Sequence, residues 1–239
     1  MPAERYFVDV PFAEGEEVAL AGDGCHHLCV VMRTQVGEEV ELVNGRNQLA
    51  VASLAEKAKK SAQLRIEKVL IGKPSRPVIL AQAIPRFHRL ETILEKGTEL
   101  GATGFWLFPA MLSEKKEFSA NQQERMRLIA ISAMKQCGRL DLPAIDILPP
   151  LANWPVPAGT FFYGDTRLEA PRFDPTQATE PIVFFVGPEK GFHEQEVLLL
   201  EKKFQAMGVK LHDNILRTDT ASLVALSLID RGAGSSPRR

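Results

Sequence analysis

The 239-residue chain is poor in cysteine, tryptophan and tyrosine, with three, two and two of them. Cys25, Cys29 and Cys137 are too few and odd in number for a disulfide framework, and point to a reducing, cytoplasmic setting. No apolar run approaches the roughly 18 to 20 residues that cross a bilayer. The amino-terminal MPAERYFVDVPF carries an acid and an arginine where a signal peptide needs an apolar core. Charge of one sign is not in excess either. Lys+Arg is 29 against 30 Asp+Glu, a formal net charge of −1, without the basic surplus of a dedicated nucleic-acid binder. What remains is ordinary globular composition, 45% hydrophobic and 25% charged, long enough for one large domain or two smaller ones.

The first 70 or so residues alternate as β-strands do, at 39–43, 49–54 and 63–69, with the turn-forming Asn44-Gly45 between the first two. A short helical stretch is predicted from Gly24, carrying His27, Val30 and Val31. The proline-bearing 72–77 then breaks the pattern and marks a domain boundary. Beyond it, strands at 78–83, 104–109, 161–163, 182–186 and 209–211 alternate with helices at 88–100, 122–136, 194–207 and 220–229. That rhythm predicts an α/β fold with a mostly parallel sheet and helices on both faces. The proline-rich 143–181 reads as an extended connector with one strand inside it, and 232–237 as a frayed tail. No internal repeat is present.

Two loops carry the chemistry. The apolar strand 182–186 runs into Gly187-Pro188-Glu189-Lys190-Gly191, a turn whose glycines admit close backbone approach at the carboxyl end of a strand. A ligand-free strand-to-helix turn explains it equally well, and Walker spacing is absent. About 25 residues on, Ile215-Leu216-Arg217-Thr218-Asp219-Thr220-Ala221 precedes the last helix, which Asp219 or Thr220 is placed to N-cap. Cys25-His26-His27-Leu28-Cys29 lacks zinc spacing and reads as a helix start with buried Cys and exposed His. Arg86, His88 and Arg89 read as a solvated helix face, and His193 as a surface residue.

Taken together and in order, these motifs resemble the RsmE family, the 16S ribosomal RNA (uracil-N3)-methyltransferases of the knotted SPOUT superfamily. His27-Leu28 through Arg33, Lys96-Gly97-Thr98-Glu99-Leu100-Gly101 and Gln136-Cys137-Gly138-Arg139 extend the likeness over nearly the whole chain. Departures are Lys190 in the Gly-Pro-Glu-Gly-Gly turn, His212 after Leu211, Asp219 for a glutamate, and Lys115 and Lys135 in two basic or acidic motif positions. Lys115 lacks the planar fork of an arginine. The resemblance implies a small PUA-like β-barrel RNA-binding domain over 1–72 and a SPOUT domain over 73–239 with a trefoil knot and a parallel sheet.

The resemblance further implies S-adenosyl-L-methionine as donor and a uridine near the decoding centre as acceptor, in free 16S rRNA or the assembled small ribosomal subunit. A homodimer without metal or membrane partner is expected. The donor would lie against Gly187, Pro188, Glu189 and Gly191, against Leu211, Ile215, Leu216 and Thr220, and against a third loop at Tyr163 and Gly164. Arg217 and Asp219 are the catalytic candidates. Asp219, held by Thr218, Thr220 or Arg217, would take the N3 proton, or Arg217 would stabilise the developing uracil anion. His27, Arg33, Arg86, Lys115 and Arg139 would contact RNA. The competing readings are a non-catalytic RNA-binding SPOUT protein and a SPOUT enzyme acting on transfer RNA. Charge by segment favours an RNA partner: 1–72 is net −3 and 144–239 is net −2, but 73–143, with 11 basic against 7 acidic residues, is net +4.

Overall fold

In the computed structural model, which describes residues 4–176 and 178–232, the alternating amino-terminal segments form one five-stranded sheet. Its strands are β1 (Arg5–Phe7), β2 (Glu17–Ala21), β3 (Glu39–Val43), β4 (Gln48–Lys57) and β5 (Ser61–Ile71), in the order β1-β3-β4-β5-β2. All pairs are antiparallel except β1 with β3. Every second side chain of β4 and β5 turns inward, so Ala52, Leu54, Leu64 and Ile66 pack with Tyr6, Leu20 and Leu42. Between β3 and β4 the Arg46 N–H donates to the Asn44 side-chain oxygen at 2.9 Å, fixing the predicted turn. The predicted helical stretch is α1 (Gly22–His26) continued by a π turn over His27–Val31, with Cys25 buried and His26 exposed. The compact unit built on this sheet takes in residues up to Pro74 and also Ile131–Leu142. Met134, Leu140 and Leu142 cluster there with Val43 and Leu49.

The second unit comprises Ser75–Ala130 and the chain from Pro143 onward. Its elements are β6 (Val78–Ala83), α2 (Phe87–Glu99), β7 (Gly104–Phe108), α3 (Ala120–Cys137, whose end belongs to the first unit), β8 (Ala144–Ile147), β9 (Thr160–Gly164), β10 (Ile182–Val186), α4 (Glu194–Lys202), β11 (Met207–Val209) and α5 (Thr218–Gly232). The six strands are all parallel, in the order β11-β9-β10-β6-β7-β8. All five residues of the central strand β10 are buried, which is why it reads as an unbroken apolar run. Ile182, Phe184 and Val186 pack with Leu90, Ile93 and Leu94 of α2 and Ala225, Leu226 and Ile229 of α5. Val183 and Phe185 face the other way, onto Leu200 of α4, Trp154 and Phe204. Helices therefore cover both faces, as the alternation predicted.

Some boundaries differ from the sequence reading. Helix α4 stops at Lys202 rather than 207, because Gln205 turns to φ +53° and the Phe204 and Ala206 amides bond back to Leu199 and Leu200. That frees Met207 to begin β11 two residues early, in register with Phe162 on β9. The 143–181 segment holds a second strand, β8, paired with β7. Of the tail expected to fray, Gly232 is instead the last residue of α5, and 233–237 lie outside the described residues.

Candidate active site

The carboxyl ends of parallel strands bring three loops together: 163–165 after β9, 187–193 after β10 and 210–217 after β11. The last two are tied from inside the sheet. Thr218 donates its hydroxyl to the Gly187 carbonyl at 2.7 Å and accepts from Gln82 Nε2 at 3.0 Å. Ser222 shares its one hydroxyl proton between Gln82 Oε1 at 2.6 Å and the Thr218 carbonyl at 2.9 Å. Gln82, Thr218 and Ser222 are all buried, so each bond forms in low dielectric where a missing partner is costly. Gln82 escaped the sequence reading. Its one signal was an amide inside the otherwise apolar strand 78–83.

The first loop is a tight turn closed by the Gly191 amide on the Pro188 carbonyl at 2.9 Å. Gly191 sits at φ +75°, and a Cβ on Gly187 would meet the Gly191 and Phe192 backbone at 3.1 Å. Both glycines are therefore demanded by the turn itself. Pro188 is buried inside it, while Lys190 is exposed. Glu189 accepts the Arg86 amide at 3.0 Å. Behind it, His193 caps α4 and Glu196 completes a capping box, its other oxygen accepting the Met111 amide.

In the second loop Leu211 and Leu216 are half-buried, and Ile215 is 82% exposed, an apolar side chain left uncovered. Among the described residues the amides of Leu211, Ile215 and Leu216 donate to no protein group. Helix α5 begins at Thr218, and the Arg217 carbonyl accepts the Ala221 amide. Asp219 and Thr220 thus lie in the first turn rather than at the cap, where the helix dipole favours the Asp219 carboxylate. Arg217 is exposed, and its guanidinium has no partner among the described residues. Asp219 is held neither by Thr218, whose hydroxyl is committed to Gly187, nor by Thr220 or Arg217. Arg89 holds it, at 2.9 Å.

At the third loop Tyr163 is a core ring, 2% exposed, that positions Gly164 instead of offering itself to a ligand. Its hydroxyl donates to Glu201 at 2.7 Å and accepts from Arg167 at 2.6 Å, and Arg167 also bridges Asp165 and Glu201. Burial, then the bond to Glu201 and the charge of Asp165, push the tyrosine hydroxyl above its ordinary pKa. Burial pulls Asp165 upward, but the Arg167 hydrogen bonds outweigh it and leave the carboxyl below its usual range. Glu201 is lowered by Tyr163 and then by Arg167.

The five expected RNA contacts are differently placed. Arg33 and Lys115 are exposed, and Lys115 has no partner among the described residues. His27 is half-buried and 3.1 Å from Glu4. Arg86 is exposed but forked onto Glu114 at 3.0 and 3.1 Å, which raises the arginine and lowers the glutamate. Arg139 is the least exposed of the five: its side chain is 8% exposed and paired with Asp141 at 2.6 Å.

A sulfonium nucleoside needs backbone donors for its base, an apolar cover and space beside glycines. The free amides of the second loop, the uncovered Ile215 and the open side of Gly191, with nothing within 4 Å of a Cβ there, fit such a group. Comparison with known proteins agrees. The profile of an RNA methyltransferase domain matches residues 73–230, and that of an RNA methyltransferase PUA domain matches 20–67. The ribosomal RNA small subunit methyltransferase E of Synechocystis is 32% identical over 231 residues, covering 89% of this chain and 72% of its own. The same enzyme of Neisseria gonorrhoeae, solved bound to S-adenosyl methionine, superposes with a TM-score of 0.81 at 28% identity over 96% of this chain and 97% of its own. A Legionella pneumophila protein solved with SAM bound gives 0.84 at 25% identity, over 97% and 98%.

Proposed function

The chain belongs to the ribosomal RNA small subunit methyltransferase E family of RNA methyltransferases, and from that membership we propose that it methylates N3 of a single uridine of 16S rRNA near the decoding centre. S-adenosylmethionine, when bound, supplies a methyl group on a sulfonium. The turn Gly187–Gly191, the amides of Leu211, Ile215 and Leu216, and Gly164 would hold that donor. Pro188, Glu189 and Tyr163 shape these walls from behind, and Thr220 stands exposed beside them.

N3 is a Watson–Crick edge atom, so the uridine must be unpaired or flipped out to reach the site. The N3–C bond would form as the methyl group's bond to sulfur breaks, leaving a neutral thioether, and the N3 proton leaves. Asp219 takes it: Oδ1 is engaged by Arg89, and Oδ2 has no partner among the described residues. The exposed Arg217 offers its guanidinium to a uracil carbonyl oxygen, where negative charge develops. Arg33 and Lys115 contribute phosphate contacts, and Arg86 does so to the extent that Glu114 releases it. The PUA-like domain over 1–72 adds RNA surface to the methyltransferase domain over 73–239. We place the activity in the cytoplasm and in a homodimer.

The observation that carries this reading is the Thr218–Gly187 bond at 2.7 Å, which holds both signature loops at one sheet end. Mapping 3-methyluridine in 16S rRNA from a strain lacking the gene tests it. The modification should vanish at one position and return on complementation. Persistence of the modification without the gene, or no donor binding by calorimetric titration, would overturn the reading.

A further inference from the structure

Arg89 lies on α2, outside both signature loops, yet it touches an acid from each. Its Nη1 is 2.9 Å from Asp219 Oδ1, and its Nε is 3.4 Å from Glu189 Oε1. The side chain is 17% exposed and its partners 25% and 26%, so solvent only partly screens the three charges. Nε is buried and lacks a hydrogen bond of good geometry. A guanidinium so placed is not a solvated helix-face charge. It is in contact with two like-charged carboxylates, one from each signature motif.

We propose that Arg89 is a positioning residue for methyl transfer, and this rests on the reading above. By binding Oδ1 it turns Oδ2 of Asp219 outward for the N3 proton, and by reaching Glu189 it couples that carboxylate to the turn that holds the donor. The planar fork suits the task because its separate N–H groups address both acids at once, which a lysine ammonium on its single point of charge does not. The Glu189 end is the looser of the two. That carboxylate is also fastened by the Arg86 amide, so its place survives loss of Arg89 better than that of Asp219.

The test compares Arg89→Met and Arg89→Lys, alone and combined with Asp219→Asn, in purified full-length protein. Steady-state methylation of 16S rRNA, donor affinity by calorimetry and donor-free denaturant unfolding are measured for each. Arg89→Met is expected to lower kcat about 10- to 100-fold with KM for RNA within about threefold. Arg89→Lys should recover roughly a tenth to a half of the lost rate. In the Asp219→Asn background the same change should cost less than about twofold, and donor-free stabilities should show about three- to tenfold coupling in the unfolding constant. Full multiplicativity of the two substitutions, or a kcat within twofold of wild type for Arg89→Met, overturns the proposal. A wild-type protein that binds no donor and methylates no rRNA overturns the methyl-transfer reading itself, a failure visible before any variant is made.

Discussion

On the proposed mechanism, Arg217 is the side chain on which the acceptor half of the site depends most directly. It is exposed and unpaired among the described residues. Arg217→Ala should therefore reduce kcat about 10²- to 10³-fold, as loss of one oxyanion donor does, with an unchanged melting temperature in a thermal scan. Thr218→Val should behave oppositely. It leaves the Gly187 carbonyl with only the longer 3.4 Å bond from Gln82 Nε2 and takes one acceptor from that amide, so urea denaturation should show a loss of about 1–3 kcal/mol, and donor affinity should fall with it. Arg217 and Asp219 were legible because their spacing belongs to a motif. Arg89 and Gln82 were not, because their meaning lies in partners 130 and 136 residues away. For Arg139 the deciding partner is close by instead: Asp141, two residues on, takes up the charge that the motif offers to RNA.

Among elements, strands buried on both faces and helices with a clean apolar stripe were legible almost to the residue: β6, β10 and α2 all fall where periodicity put them. The misread ones were decided by tertiary contacts. The end of α4 is set by Phe204 turning into the core, and β8 by pairing with β7. Because Phe184 of β10 is fully buried under α2 and α5, Phe184→Ala should cost about 3–5 kcal/mol in equilibrium unfolding. The end of β9 carries a pH dependence. Asp165 and Glu201 titrate below their ordinary 3.8 and 4.5 when folded. Their contribution is complete above those values and is lost as pH falls through the lowered folded ones. Unfolding midpoints taken from about pH 5 to about pH 3 should drop more steeply in wild type than in Arg167→Met.

For the whole molecule, the net charge of −1 hides the +4 of residues 73–143, and the structure in turn discounts that local excess. Arg86, Arg89, Arg125 and Arg139 are each paired with a carboxylate. The phosphate footprint is consequently small. Binding of an RNA fragment should show a log–log salt slope of about −1.5 to −3, and Lys115→Ala should reduce its magnitude by about 0.7. A slope steeper than about −6 would mean that the internal pairs open on RNA. The same long reach that hid Gln82 also orders events in time. During synthesis the sheet from β6 to β10 can form while the donor turn still lacks Thr218, since the residues that fasten it emerge 136 and 140 positions after Gln82. A nascent chain therefore carries a folded platform and no finished pocket. The ability to methylate RNA arrives only when α5 has left the ribosome that made it.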